Sequence, residues 1–178
     1  MPTGVASAAS LVGRLVDVTS QNGTYLLNIS PKSDGTIPDD QQKSLLGLGE
    51  WLGVNGEAIY GTHNWIKFQD GAAGGRGGGA AHIRYTVKGD ALYAIFVGAY
   101  PTAGITLASL AAGQAPEGTI KSVTMLGSAD ELKFTQDAGG LHVTVPAKAP
   151  CSYAYALKIT GLKMNADTAT KDGNPILP

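Results

Sequence analysis

The sequence predicts a mostly β fold, an antiparallel β-sandwich preceded by a short helix-strand-helix segment. The apolar residues repeat at helical spacing in the first third of the chain and alternate with a period of two after Trp65. Glycine-rich turns separate the alternating runs, at spacings of roughly 8 to 14 residues. The composition suits such a fold, because 25 glycines supply turns while 43% hydrophobic residues supply a packed core.

The helix-strand-helix prediction begins with a helix over residues 8–20. An apolar stripe at helical spacing consists of Leu11, Val12, Leu15, Val16 and Val18. The helix is expected to end at Asn22-Gly23, a pair typical of helix C-termini. The next apolar run, Tyr25–Ile29, is nearly continuous, which predicts a strand covered on both faces, as in a parallel sheet.

A second helix is predicted from Thr36-Ile37-Pro38-Asp39, which offers an N-cap hydroxyl, a proline in the first turn and an acid at the capping-box position. Leu45, Leu48 and Leu52 form its apolar stripe, and Gly53 with Asn55-Gly56 ends it.

The period-two part of the chain predicts eight strands and a domain boundary near residues 62–68. Lys88-Gly89-Asp90 and 137–140 are hairpin signals. The segment 71–81 predicts a flexible loop, and 163–178 a tail. The predicted strands are Trp65–Gln69, His82–Lys88, Ala91–Gly98, Ile105–Leu110, Thr119–Leu126, Glu131–Gln136, Leu141–Val145 and Tyr153–Thr160.

The charge balance argues against several partner classes. Thirteen basic and fourteen acidic residues give a net charge of −1, so we expect no nucleic acid and no anionic membrane as partner. No apolar run has the roughly 18 residues of a membrane span, and Met1–Ser10 lacks the basic head and apolar core of a secretory signal. The single cysteine, Cys151, predicts a small buried thiol rather than a disulfide or zinc ligand.

Three stretches of the sequence resemble the C-terminal end of the α-L-fucosidases of glycoside hydrolase family 29. The first is QNGTYLLNISPKSDGTIP at residues 21–38, and the second is GEWLGVNGEAIYGT at residues 49–62. The third is spread over the predicted sandwich, as ALYAIF (91–96), VTMLG (123–127) and APCSYAYAL (149–157).

This resemblance implies a domain organisation. In the family a catalytic (β/α)₈ barrel precedes a C-terminal β-sandwich, so the helix-strand-helix segment is interpreted as the remnant of the last part of a barrel. The expected domains are residues 1–64 for this segment, 65–162 for the sandwich and 163–178 for the tail. Family members hydrolyse terminal α-L-fucosyl linkages with retention, using two close carboxyl groups. No residue of this sequence lines up with the family's nucleophile.

The acids of this chain are therefore weak catalytic candidates. Asp34, Asp39 and Glu57 could take part only if an unfamiliar site formed between subunits. Asp39 is expected in the first turn of a helix, where acids complement the dipole, and Glu57 is interpreted as an anchor between the barrel remnant and the sandwich.

Aromatic residues suggest a second route to function, since sugar-binding modules use exposed rings. Trp65, Tyr85 and Tyr100 are the candidates, although core packing is the alternative for each. The three histidines have no metal-ligand spacing, and the glycine-rich segment lacks GxxxxGK[ST], so neither a metal nor a cofactor is expected.

The sequence thus predicts the C-terminal fragment of an α-L-fucosidase-like hydrolase with a structural, supporting role. Its expected partners are a fucosylated glycan, through the resemblance, and either an upstream catalytic barrel or a second copy of the chain. Two alternatives stay open: an active minimal fucosidase with a site between subunits, and a carbohydrate-binding β-sandwich module.

Overall fold

The first helix forms where the sequence predicts it. The computed structural model describes residues 4–71 and 82–164, and its helix α1 spans Ala8–Ser20. The Ser7 side chain caps the helix by accepting a hydrogen bond from the Ser10 amide at 3.3 Å. At the other end Asn22 adopts a left-handed conformation with φ 58°, and the Gly23 amide donates to the Val18 carbonyl at 2.9 Å.

The predicted strand Tyr25–Ile29 is wrong as an element of this chain, because these residues form an irregular segment. Within the described ranges, the backbone of Thr24–Ile29 makes no hydrogen bond, and Leu26 is 90% exposed. A strand is a paired structure, and its apolar pattern alone cannot supply the neighbouring strand.

Helix α2 spans Asp39–Asn55 and is followed by a 3₁₀ turn over Gly56–Ala58. The predicted N-cap at Thr36 is wrong, because that hydroxyl donates to Asp34 instead and Pro38 precedes the helix without a side-chain cap. The predicted leucine stripe is half-buried, whereas Trp51 is fully buried in one apolar cluster with Val12 of α1 and Tyr93.

All eight predicted strands occur in the described residues, with ends shifted by up to three residues. They pair antiparallel into a larger sheet of order β1-β2-β3-β8-β5 and a smaller sheet of order β4-β7-β6. The predicted strand at Ile105–Leu110 is shorter, because a 3₁₀ turn occupies Ala108–Leu110. The strands are β1 His63–Asp70, β2 His82–Lys88, β3 Ala91–Val97, β4 Ile105–Leu107, β5 Gly118–Met125, β6 Phe134–Asp137, β7 Gly140–Val143 and β8 Ala154–Leu162.

The larger sheet is covered on both faces. One face packs against the smaller sheet around Leu92, Leu107 and Leu157, and the opposite face packs against the two helices through Tyr93 and Ile95. Double coverage explains why β3 is buried continuously from Ala91 to Ile95 instead of alternating. The buried faces of the helices are therefore covered by the sandwich itself.

Parts of two predicted segments lie outside the described residues, namely 72–81 of the glycine-rich loop and 165–178 of the tail. Met164, which precedes the second of these, is buried against the sandwich core. None of the helices in the described ranges is both long and apolar enough to cross a bilayer.

Candidate functional site

An apolar surface lies between the two helices. We call residues 24–29 the open segment, since they connect α1 to the turn before α2 without joining a sheet. Leu26, at 90% exposure, and Ile29, at 39% exposure, present large apolar side chains to solvent. Beside them a cavity of about 470 Å³ is lined by Leu11, Leu27 and other residues. Exposed apolar side chains and free backbone groups are suited to receiving further strands.

Asp34, the first candidate acid, is engaged in its own turn. Its Oδ1 accepts hydrogen bonds from the Thr36 amide at 2.9 Å and from the Thr36 hydroxyl at 2.7 Å. These two bonds, the hydroxyl first, lower the pKa of Asp34 below its usual value. The carboxylate therefore holds the turn together as an acceptor.

Asp39 and Glu57 lie near opposite ends of α2. Asp39 is the first residue of the helix, and Glu57 follows its last residue by two positions. A helix of 17 residues is about 25 Å long, whereas retaining glycosidases need two carboxyl groups about 5 Å apart. The structure therefore does not bring these two acids together within the chain.

Glu57 connects the turn after α2 to the sheet. Its Oε1 accepts hydrogen bonds from Lys158 Nζ at 2.6 Å and from the Tyr93 hydroxyl at 2.8 Å. The bond from Lys158, followed by that from Tyr93, lowers the pKa of Glu57, and burial together with Glu57 raises the pKa of Tyr93. Glu57 thus joins the helical segment to β3 and β8, the anchoring contact that the sequence predicts.

The candidate sugar-binding aromatics serve the core instead. Trp65 is 2% exposed and Tyr85 0% exposed, and the two rings meet edge to face with centroids 5.0 Å apart. Tyr100 is half-buried, its ring packs edge-on against Tyr155, and its hydroxyl donates to the Pro146 carbonyl at 2.6 Å. Trp65 and Tyr85 therefore offer no exposed ring face to a sugar.

An ionic cluster between α1 and β2 was missed by the sequence analysis. Asp17 Oδ1 lies 2.8 Å from Arg84 Nε and 3.0 Å from His82 Nε2, and both basic side chains are buried. Arg84 also donates to Gln69. The available signal was a histidine and an arginine in an otherwise apolar strand, HIRYTVK, which calls for a buried partner.

A second missed contact ties α2 to β8. Trp51 Nε1 donates to the Ala154 carbonyl at 2.8 Å, while Asn55 donates to Cys151 Sγ and accepts from the Ala156 amide, each at 3.3 Å. Partial burial raises the pKa of the Cys151 thiol, and the residue is half-buried rather than buried as the sequence predicts.

The histidines contact neighbouring side chains or backbone. His142 lies 3.0 Å from Asp137 and 3.1 Å from the Thr106 hydroxyl, and His63 Nδ1 lies 2.9 Å from the Asn64 carbonyl. Across the described ranges, no group of three or more histidine, cysteine or acidic side chains is arranged to hold a metal ion.

Comparisons with known proteins assign both parts of the chain. Residues 2–57 match the family model "Alpha-L-fucosidase", and residues 79–160 match "Alpha-L-fucosidase C-terminal domain". The chain belongs to the α-L-fucosidase family. Human tissue α-L-fucosidase is 34% identical over 166 residues, which cover 89% of this chain and 33% of that protein. The α-L-fucosidase of Branchiostoma floridae is 34% identical over 85% of this chain and 32% of its own length.

Solved structures agree with this assignment. The Thermotoga maritima α-fucosidase in complex with fucose superposes with a TM-score of 0.73 at 36% identity, covering 90% of this chain and 36% of that one. The chain thus spans about a third of the length of its fucosidase relatives. The open segment and both helices lie in the part that matches the fucosidase model, and most of the sandwich lies in the part that matches the C-terminal domain.

Proposed function

We propose that this chain is the supporting C-terminal part of a retaining α-L-fucosidase that acts on fucosylated glycans, and that its own residues do not carry out the hydrolysis. The proposal rests on the family membership and on the share of the relatives that the chain spans. The observation that carries it is the open segment, an apolar run with unpaired backbone between two helices.

The open segment has the position of the last strand of a barrel. A barrel strand is buried on both faces and pairs with a strand on each side. The residues Tyr25–Ile29 have the composition for that environment, yet Leu26 is exposed. The preceding strands of a catalytic barrel would pair with this segment and cover it.

The sandwich would hold this strand in place. Asp17 fixes α1 to β2, and Trp51 fixes α2 to β8, so both helices that flank the open segment are attached to the larger sheet. We accordingly retain residues 1–64 as the barrel part and 65–162 as the sandwich domain. The separation of Asp39 from Glu57 along α2 supports a catalytic pair that lies elsewhere.

A hybrid enzyme tests the supporting role. The full chain would replace the matching C-terminal portion of Thermotoga maritima α-fucosidase, with the truncated catalytic portion as control. We expect the hybrid to melt cooperatively and to release nitrophenol from para-nitrophenyl α-L-fucoside, and the truncated portion to lose most of this activity. A hybrid that fails to fold, or that is no more active than the truncated portion, would contradict the proposal.

A further inference from the structure

If the proposed function holds, the turn between the open segment and α2 lies on the substrate-binding face of a barrel. In (β/α)₈ barrels the segment that leads from a strand into the next helix lies on the face where substrates bind. Residues 30–38 form this segment, whereas residues 21–24, which lead from α1 into the strand position, belong to the opposite face. The catalytic face of the whole enzyme would therefore include the turn at residues 30–38.

The turn is internally fixed. Besides the two bonds that Asp34 accepts from Thr36, the Lys32 amide donates to the Thr36 carbonyl at 2.8 Å, and the Gly35 amide donates to the Lys32 carbonyl at 2.9 Å. Gly35 has φ 83°, a conformation that glycine adopts without strain. The tip of the turn is therefore ordered before any ligand arrives, which lowers the entropic cost of binding.

The base of the turn is clamped to α2. The Ser30 amide donates to Gln41 Oε1 at 3.0 Å, and Gln41 Nε2 donates back to the Ser30 carbonyl at 3.3 Å. The Gln42 side chain donates to the Ile37 carbonyl at 2.6 Å. These bonds fix the position of the tip relative to the helix.

Two polar side chains at the tip are uncommitted. Lys32 and Ser33 are exposed, and within residues 4–71 and 82–164 neither side chain forms a hydrogen bond or ion pair. A lysine offers three donors and a serine hydroxyl offers a donor and an acceptor, which suits the hydroxyl groups of a sugar. Asp34, in contrast, is used by the turn itself.

We propose that Lys32 and Ser33 bind the leaving-group sugars of a fucosylated glycan, and that Asp34 is a positioning residue that orders their turn. The leaving group is the natural ligand for them, because a terminal fucosyl unit lies among the catalytic groups while the rest of the glycan extends outward past the exposed loops. The turn would then discriminate between glycans without taking part in bond cleavage.

The hybrid enzyme tests this proposal with two substrates. Fucosyllactose has a hydroxyl-rich leaving group, whereas para-nitrophenyl α-L-fucoside has none of those hydroxyls. We expect the Lys32→Ala, Ser33→Ala double variant to lower kcat/KM for fucosyllactose about tenfold, through a higher KM, and to change that for the aryl fucoside less than about twofold. Lys148→Ala, another exposed lysine, serves as the matched control and should alter neither value.

Asp34 supplies a second, independent variant. Asp34→Ala removes both bonds to Thr36 and should lower kcat/KM for fucosyllactose but not for the aryl fucoside. Asp34→Asn keeps an acceptor oxygen and should recover most of the lost kcat/KM. Equal effects on both substrates, or no effect on either, in a hybrid that melts like the unsubstituted one would overturn this proposal alone. A hybrid that is inactive on both substrates before any substitution would overturn the proposed function as well.

Discussion

Single side chains that are distant in sequence connect the helical segment to the sandwich. Glu57 contacts Tyr93 and Lys158, and Asp17 contacts His82 and Arg84. The anchoring role of Glu57 could be inferred from its place after a predicted helix, but its partners could not, because Lys158 is 101 residues away. Nothing local in the sequence of Asp17 indicates an arginine 67 residues further along.

Glu57 should make stability depend on pH. Its pKa is lowered on folding, so its ionic contribution is complete above the unfolded value of 4.5 and is lost as the pH falls through the folded value. Glu57→Gln keeps an acceptor for Tyr93 but removes the charge, and we expect it to cost up to about 1 kcal/mol at neutral pH, since the pair is partly exposed. Urea unfolding at neutral pH and near pH 3 checks this, and a cost that is the same at both values would contradict it.

Asp17 should contribute more to the stability of the fold than an exposed acid does. Asp17→Ala leaves the buried Arg84 guanidinium without its carboxylate, and we expect a loss of about 3 kcal/mol in the free energy of unfolding. Glu50→Ala, an exposed acid on α2, is the control and should change stability by less than about 0.5 kcal/mol. Similar unfolding midpoints for the two variants in urea would show that the cluster is not stabilising.

Among the helices and strands, the apolar pattern of a segment predicts the elements whose formation depends mainly on that segment. Helix α1 follows its apolar stripe, and the eight predicted strands appear in the described residues between their turns, although β2 and β3 are buried continuously rather than in alternation. Tyr25–Ile29 fails as a strand because pairing depends on partners that the segment cannot specify. Trp65 and Tyr85 were ambiguous for the same reason, since an alternating pattern does not distinguish a ring packed between sheets from one that faces a ligand.

Two glycines of α2 should respond in opposite ways to substitution by alanine, because only one of them contacts α1. A Cβ at Gly47 would lie 2.7 Å from the Ala8 Cβ, whereas one at Gly49 would meet nothing within 4 Å. We expect Gly49→Ala to raise stability by about 0.5 to 1 kcal/mol through helix propensity. Gly47→Ala should lower it instead, because α1 and α2 must move apart. Thermal unfolding monitored by circular dichroism compares the two variants. A stabilising Gly47→Ala would show that α1 and α2 are not tightly packed at this position.

At the scale of the whole molecule, the exposed open segment predicts self-association of the isolated chain. Leu26 and Ile29 present apolar surface beside unpaired backbone, a combination that favours pairing between copies. Light scattering should give a mass above the monomer that rises with concentration, and Leu26→Asp with Ile29→Asp should return it toward the monomer. A monomeric mass for the unsubstituted chain at every concentration would contradict this prediction.

Turnover of para-nitrophenyl α-L-fucoside by the highly purified chain tests directly whether this supporting part has a hydrolytic site of its own. It would be measured beside the Asp34→Ala, Asp39→Ala and Glu57→Ala variants. We expect no release of nitrophenol by any of these proteins. Turnover by the unsubstituted chain that one of the substitutions abolishes would contradict this expectation, and would place a hydrolytic site within these 178 residues.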